Sequence, residues 1–458
     1  MTAGRPRRQP GKPAGPSDAA DVPGLAARRT AVRLLAAVID ARTPLDALVD
    51  NEHGHPQYLA LDGRDRALVR AILLTALRHR NTIAALVAAR LERPLPANAH
   101  ALAHILHVAA AQMLFLDVPD SAAVDLAVAH ARTDPRTARF AGLVNAVLRE
   151  IGRRKERALP AVLERTVDAP DWFARRLEAA YGTEKAARIL AMHRLEAPTD
   201  FTVKSDAQGW AARFGGIVLP GGTVRVARLP ASVPELPGFA EGAWWVQDFS
   251  AGLPATLLGD VAGLRVADLC AAPGGKTAQL AAAGANVTAV DASRSRLKRL
   301  AQNLDRLGMR AEIVEADLLE WTPAEPFDAV LLDAPCSSTG TVRRHPDVPW
   351  TKSPADIDKL AALQRRLLDR AVELVKPGGR IVFSNCSLDP VEGEALAAAF
   401  LAGRGDVVLE PPGESDGAAL APFVDGAGML RTTPADLDLG DPALSGCDGF
   451  FAMRLRRA

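Results

Sequence analysis

Val266-Ala267-Asp268-Leu269-Cys270-Ala271-Ala272-Pro273-Gly274-Gly275-Lys276-Thr277 decides how the second half of this chain is read. An apolar strand runs into a glycine-rich turn, and helix-forming residues follow. In parallel α/β sheets, ligands bind beyond the carboxyl ends of the strands. Two more apolar runs stop in the same manner: Ala329-Val330-Leu331-Leu332-Asp333-Ala334-Pro335-Cys336 and Ile381-Val382-Phe383-Ser384-Asn385-Cys386. One crevice should therefore collect a glycine turn and two thiols. A thiol there is a candidate nucleophile, and the turn is a candidate cradle for a nucleotide-like cofactor. Together they point to covalent catalysis beside a bound cofactor.

Outward from that stretch, strand and helix signals alternate from residue 246 to the end. Strands are expected at Arg265–Leu269, Asn286–Asp291, Ala311–Val314, Ala329–Asp333, Arg380–Ser384 and Phe450–Leu455, with helices such as Arg294–Leu307 and Asp356–Val375 between them. The second helix meets Lys376-Pro377-Gly378-Gly379, a strong stop. Residues 246–458 thus read as a doubly wound, Rossmann-like α/β domain. Residues 159–245 read as a small α+β connector: helical Trp172–Tyr181 and Glu184–Leu195, short apolar runs, then Trp244-Trp245. Those two indoles could stack on bases, but interdomain packing is the better reading.

Residues 23–158 show helical periodicity and no strand-like run, which predicts an all-α bundle. Helices are expected over Arg64–His79, Ala103–Leu116, Asp120 or Ser121 to Ala131, and Phe140–Ile151. His100, His104 and His107 share one helical face and could hold a metal. With no Cys or well-placed carboxylate beside them, a packed or surface face is the better reading, and no metal is expected. Residues 1–22, rich in Pro, Gly, Ala and Arg, read as a disordered tail.

Composition bounds these readings. The chain has 458 residues, enough for two or three domains, and 55 Lys plus Arg against 54 Asp plus Glu. Bulk charge therefore announces no nucleic-acid partner, and any basic surface must be local. The four cysteines lie too far apart for a zinc knuckle or disulfide framework, which suits a reducing cytosol. Neither a signal peptide nor a membrane-length apolar run is present, so a cytoplasmic, membrane-independent chain is expected. A monomer is expected.

The turn partly matches a P-loop, but that motif needs glycine where Cys270 stands, and Pro273 sits where phosphates would be wrapped. A turn for another nucleotide-like cofactor fits better: glycines let the backbone approach, and the next helix N-terminus attracts an anion. Asp291, ending the following strand about 20 residues on, suits a ribose diol. Asp317, after the strand beyond, could meet an adenine amine. S-adenosylmethionine presents a carboxylate, a ribose and an adenine in one line. Cys270 and Cys447 read as structural. Cys336 and Cys386 suit pyrimidine C5 chemistry. A thiolate adding at C6 makes C5 nucleophilic toward a methyl sulfonium, and a second group assists release.

At this point the motifs match a family. Asp268–Thr277, Asp333–Gly340, Arg343–Asp347 and Ser384–Leu388 closely resemble those of bacterial ribosomal RNA cytosine-5 methyltransferases. Arg64-Asp-Arg-Ala-Leu-Val69 and Phe140-Ala-Gly-Leu-Val-Asn-Ala-Val-Leu-Arg149 resemble the NusB-like RNA-binding domain that precedes the catalytic core in the Sun/RsmB type. Trp245–Asp248 and Asp448–Phe451 resemble that family's entry and terminal segments. The resemblance implies that Cys386 is the nucleophile at C6 and Cys336 the release residue. Asp333 would contact N3 or the exocyclic amine, with Lys276 near the pocket. Cys270, Ala271, Ala272, Pro273, Gly274, Gly275, Lys276, Asp291, Asp317 and Asp333 would line the S-adenosylmethionine site. The implied partner is ribosomal RNA, its cytosine reached in a loop or by flipping. Arg343, Arg344 and His345, beside the Cys336 loop, are suited to phosphate contacts. Asn385 stands where the family usually has Thr, which alters one local hydrogen-bond partner and leaves the thiol in place. A non-enzymatic RNA-binding or antitermination module is the alternative from another class, and a P-loop nucleotidase a third; the two thiols and Cys270 argue against them.

Overall fold

A computed structural model of the chain describes residues 22–413, 416–417 and 419–458. The expected tail at residues 1–22 lies outside the described residues except for Val22. The chain divides into two compact units, Met1–Asp168 and Ala169–Ala458.

The first unit is helical, with no strand among its described residues. Its centre is the helix His100–Phe115, packed by Leu25–Ala41, Gly63–Arg78, Arg80–Ala88, Asp120–Thr133 and Ala141–Arg165. That helix is apolar nearly all round, the pattern of a helix buried on every side. Asp62 caps the helix Gly63–Arg78 by accepting from the Asp65 N–H. The last helix runs on to Arg165, past the expected domain edge at 158, because its apolar face continues to Val162.

The second unit opens with the helical stretch Asp171–Met192, which breaks at Gly182 (φ 74°) into the two segments the sequence indicates. A small antiparallel sheet follows. Its strands are β1 (Thr199–Val203), β2 (Ile217–Val218), β3 (Val224–Val226) and β4 (Trp244–Val246), in the order β2-β3-β1-β4. Trp244 is fully buried against Phe201, Phe214 and Phe239, with its indole N–H on Pro237 O at 3.0 Å. Trp245 is buried with Ala271 and the leucines of the helix Arg294–Leu307. Neither indole is available to stack on a base.

The large sheet comprises β5 (Arg265–Leu269), β6 (Asn286–Asp291), β7 (Glu312–Glu315), β8 (Phe327–Asp333), β9 (Val375–Asn385), β10 (Val407–Leu409), β11 (Leu430–Thr432) and β12 (Phe450–Arg457). Its order is β10-β12-β9-β8-β5-β6-β7, with β11 paired to β12. Strands β5 to β9 are parallel, while β10, β11 and β12 run antiparallel to their neighbours. After β7 the chain returns to the other side of β5, so the order reverses between β5 and β8. That reversal opens the crevice in which such sheets bind ligands. Leu297, Leu300, Leu304 and Leu307 bury one face of the helix Arg294–Leu307, each worth about 1.5–3 kcal/mol. Lys376–Gly379 ends the helix Pro354–Leu374 as expected. It then forms an irregularity inside β9, between the pairs Phe327–Val375 and Ala329–Arg380.

Candidate active site

The carboxyl ends of β5, β8 and β9 lie side by side, and they carry the glycine turn, Asp333 and Cys386. Asp333 is in register with Ser384, whose hydroxyl donates to Asp333 Oδ1 at 2.9 Å. Lys276, from the first turn of the helix Gly275–Ala282, reaches across to Asp333 Oδ2 at 2.7 Å and lies 5.0 Å over the Phe450 ring. A buried ammonium thus sits beside a partly exposed carboxylate at the mouth of the crevice.

The thiols meet there: Cys336 Sγ and Cys386 Sγ are 3.3 Å apart. The Cys386 thiol is held below its ordinary range, first by the hydrogen bond from Cys336, with Ser338 and Lys276 adding to it. The same contact, together with burial and the nearby Glu392, pushes Cys336 well up. Either sulfur can donate in this contact. A thiol held low beside a second thiol is chemically suited to act as a nucleophile.

Asn385 anchors the loop carrying Cys386. It is fully buried, its Nδ2 donates to Glu392 O at 2.7 Å, and its Oδ1 accepts from the Ser387 N–H at 3.0 Å. From the other side, Tyr181 Oη donates to Leu388 O at 2.7 Å, and Arg176 forks onto Asp389 at 2.5 and 2.9 Å. The connector helix thus braces the loop that carries Cys386, which no local pattern in its sequence announces. Gly340 matters through close approach. Its N–H donates to Cys386 O and its carbonyl accepts from the Gly449 N–H, both at 2.8 Å, and a Cβ there would lie 2.0 Å from Gly449 O.

The turn Cys270–Lys276 fits a cofactor with an anionic end. No side chain caps the helix Gly275–Ala282, so the amides of its first turn are left for an acceptor from elsewhere. Gly274 has φ 102°, and a Cβ there would meet Leu300 at 2.8 Å. Asp291 is nearly buried, its oxygens accepting from the Ala272 N–H at 3.2 Å and the Ser293 N–H at 2.9 Å. Asp317 follows β7 and is exposed, with one oxygen taken by the Leu319 N–H. Beneath the turn, Asp268 accepts from Thr277 Oγ1 at 2.6 Å, while its Oδ1 has no partner among the described residues. Burial pushes this carboxyl up to about 7. Burial likewise pushes Cys270 up to about 12 and Cys447 higher, in keeping with structural thiols.

Arg343 and Arg344, expected as phosphate contacts, bond groups within the protein. The turn Thr339–Thr341 sends both inward. Arg343 is 1% exposed and donates to Ser445 O at 3.1 Å. Arg344 joins Asp248 (2.7 Å), Asp448 (3.2 Å) and the Pro198 carbonyl (3.0 Å). Two carboxylates distant in sequence claim its guanidinium, so it buttresses the Cys336 loop. His345 is half-buried. In the helical unit, a carboxylate does join the histidines: Asp40 lies 3.0 Å from His104 Nε2 and 3.5 Å from His100 Nδ1. His107 is buried in the bundle, and among the described residues no three such groups converge as a metal site would require.

Residues 255–456 match the model of the 16S rRNA methyltransferase RsmB/F family, and residues 25–153 that of the NusB family. A ribosomal RNA small subunit methyltransferase B from Xanthomonas campestris is 36% identical over 461 residues, spanning 95% of this chain and 98% of that protein. One from Xylella fastidiosa is 38% identical over 454 residues, spanning 94% and 98%. Among solved structures, that of PH0851 shares the fold, with TM-score 0.70 at 22% identity over 95% of this chain and 99% of that one. A methyltransferase homologue from Pyrococcus horikoshii is 28% identical, with TM-score 0.51, over 62% of this chain and 94% of that one. With a NusB-family domain followed by this catalytic unit, the chain belongs to the RsmB/F family of 16S rRNA methyltransferases.

Proposed function

We propose that this protein uses S-adenosylmethionine to methylate C5 of a cytosine in small-subunit ribosomal RNA, through a covalent bond between Cys386 and C6. The observation that carries the reading is the thiol pair, 3.3 Å apart, beside the Lys276–Asp333 ion pair. The Cys386 thiolate bonds to C6, and the C5–C6 π electrons move to make C5 nucleophilic. Asp333, held by Lys276 and Ser384, is suited to accept from the cytosine's exocyclic amine or, when protonated, to donate to N3. Bound on the glycine turn, S-adenosylmethionine supplies an electrophilic methyl group. The C5 proton then passes to solvent with Cys336 assisting, its C–H electrons restore the C5–C6 double bond, and the C6–S bond breaks with its electrons returning to Cys386. The base must be extruded or unpaired to reach the thiols. A purely RNA-binding role leaves this arrangement without a task. Mapping of 5-methylcytosine in total RNA, with and without the protein, tests the reading. One modified cytosine in small-subunit RNA should disappear, and an unchanged map overturns it.

The first turn of the helix Gly275–Ala282 suits the cofactor's carboxylate, and Asp291 suits its ribose. Hydrogen bonds to a charged group contribute about 1.5–3 kcal/mol, so Asp291→Ala should weaken binding of S-adenosylhomocysteine by roughly tenfold or more. Calorimetry reads this directly; unchanged affinity removes Asp291 from the site.

For the helical unit we infer an RNA-targeting role, through a groove of about 520 Å³ that Arg90, Arg153, Arg154, Arg157 and Arg165 line. Among the described residues no acidic side chain lines it, although Glu150 pairs with Arg153 and Arg154 alongside. This is a local basic surface on a chain of near-zero net charge. Replacing Arg90, Arg157 and Arg165 together with Gln should weaken RNA binding and flatten its salt dependence. For each phosphate no longer neutralised, the slope of log K against log salt should fall by about 0.7–0.9. An unaltered slope assigns RNA binding to another surface.

A further inference from the structure

The buried carboxylate of Glu392 joins the two thiol loops. It is fully buried, which costs several kcal/mol unless hydrogen bonds compensate. Here they do. Oε1 accepts from the Ser337 N–H at 2.9 Å and from Gln364 Nε2 at 2.8 Å. Oε2 accepts from Ser387 Oγ at 2.6 Å and from Ser337 Oγ. Ser337 directly follows Cys336, and Ser387 directly follows Cys386. Gln364 completes the frame, donating to Pro335 O at 3.0 Å and accepting from Asn385 Nδ2 at 3.3 Å. Thr339 Oγ1 lies 3.1 Å from Ser387 Oγ and accepts from the Leu388 N–H at 2.9 Å.

The two cysteines depend on this frame unequally. Cys386 directly follows β9, whose last residue, Asn385, is paired in register with Phe451 of β12. Its carbonyl is also tied to Gly340. Cys336 lies beyond the end of β8, past the exposed Pro335, and the next backbone N–H goes to Glu392.

We propose that Glu392 is a positioning residue that fixes Cys336 against Cys386. The role deepens the covalent reading above and rests on its assignment of Cys386 as nucleophile and Cys336 as release residue. The carboxylate holds the Cys336 loop through Ser337 and sets the contact between the sulfurs. Its charge also disfavours a thiolate at Cys336.

Two full-length variants test this. Glu392→Ala removes the clamp. Glu392→Gln keeps its volume, and the serine hydroxyls can turn to accept from the new amide. The first readout is the rate at which diamide links Cys336 to Cys386, each thiol giving up one proton and one electron to the reagent, followed by peptide mass mapping. It needs no RNA, so it stands apart from the methylation reading. Glu392→Ala should slow the linkage by roughly tenfold or more, and Glu392→Gln should restore it to near the wild-type rate. The second readout is methyl transfer and RNA adduct on denaturing gels. Misplacement by about 1 Å costs about a hundredfold in rate, and Glu392→Ala should accumulate adduct as Cys336→Ala does, with S-adenosylhomocysteine binding unchanged. Wild-type linkage and turnover in Glu392→Ala overturn the proposal. If that variant is insoluble, the Ser337→Ala/Ser387→Ala pair replaces it, and a wild-type linkage rate there overturns the proposal equally. Slowed linkage with no RNA adduct from any variant supports the positioning role and counts against the covalent methylation reading.

Discussion

Cys386→Ala should abolish methyl transfer, whereas Cys336→Ala should trap the RNA on the protein. Loss of an enzymatic nucleophile lowers turnover on the order of 10⁴–10⁶-fold, because no other group replaces the covalent route. Without Cys336, addition at C6 and methylation at C5 still proceed, but loss of the C5 proton and cleavage of the C6–S bond stall. Labelled RNA on denaturing gels separates the outcomes: a free band for Cys386→Ala and a retarded, protein-linked band for Cys336→Ala. The reverse pattern would exchange the roles, against the asymmetry in which Cys386 is held low and Cys336 pushed up. The gel also discriminates against a non-covalent methyltransferase, which would give no linked band from either variant.

The largest stability effect is expected at Asp200. Asp200 and Arg225 are both fully buried and paired bidentately at 2.7 Å. Arg225 also donates to the carbonyls of Leu444 and Gly446, at 2.8 and 2.6 Å, and Asp200 Oδ2 accepts from the Phe249 N–H at 2.9 Å. The pair thereby joins β1 and β3 to the start of the helix Phe249–Leu257 and to the segment before β12. Asp200→Ala leaves a guanidinium buried without its counter-charge, which costs about 3–5 kcal/mol. Urea unfolding should show a stability lower by that amount. Asp200→Ala combined with Arg225→Met should recover part of the loss, since replacing both partners of a buried pair with apolar groups is often near neutral. A single variant as stable as wild type would show that water or a neighbouring carboxylate, such as Asp248, satisfies Arg225.

Much of the catalytic unit is legible in the residues because its signals are local. The strands Arg265–Leu269 and Asn286–Asp291 and the helix Arg294–Leu307 have the bounds their patterns indicate. A buried parallel strand is a short apolar run, and an amphipathic helix repeats its leucines at helical spacing. The helices Leu25–Ala41 and Arg80–Ala88 carry weaker local marks. Gly24 supplies no side-chain cap for the first, and only His79 separates the second from the preceding helix.

By itself, then, the sequence determined the alternation of strands and helices, the glycine turn, and the thiols at two strand ends. Each of these depends on residues within one turn or one strand, where propensity and spacing act directly. Only the tertiary structure decided which distant groups meet. It set the sulfurs 3.3 Å apart, placed Lys276 on Asp333, and drew Glu392 under both cysteine loops. It also turned Arg344 from an expected RNA contact into the partner of Asp248 and Asp448. A charged residue in a loop has the same local pattern whether it faces solvent or a buried carboxylate. The outcome depends on which acids the folded chain brings to it, and on the free energy of leaving them unpaired.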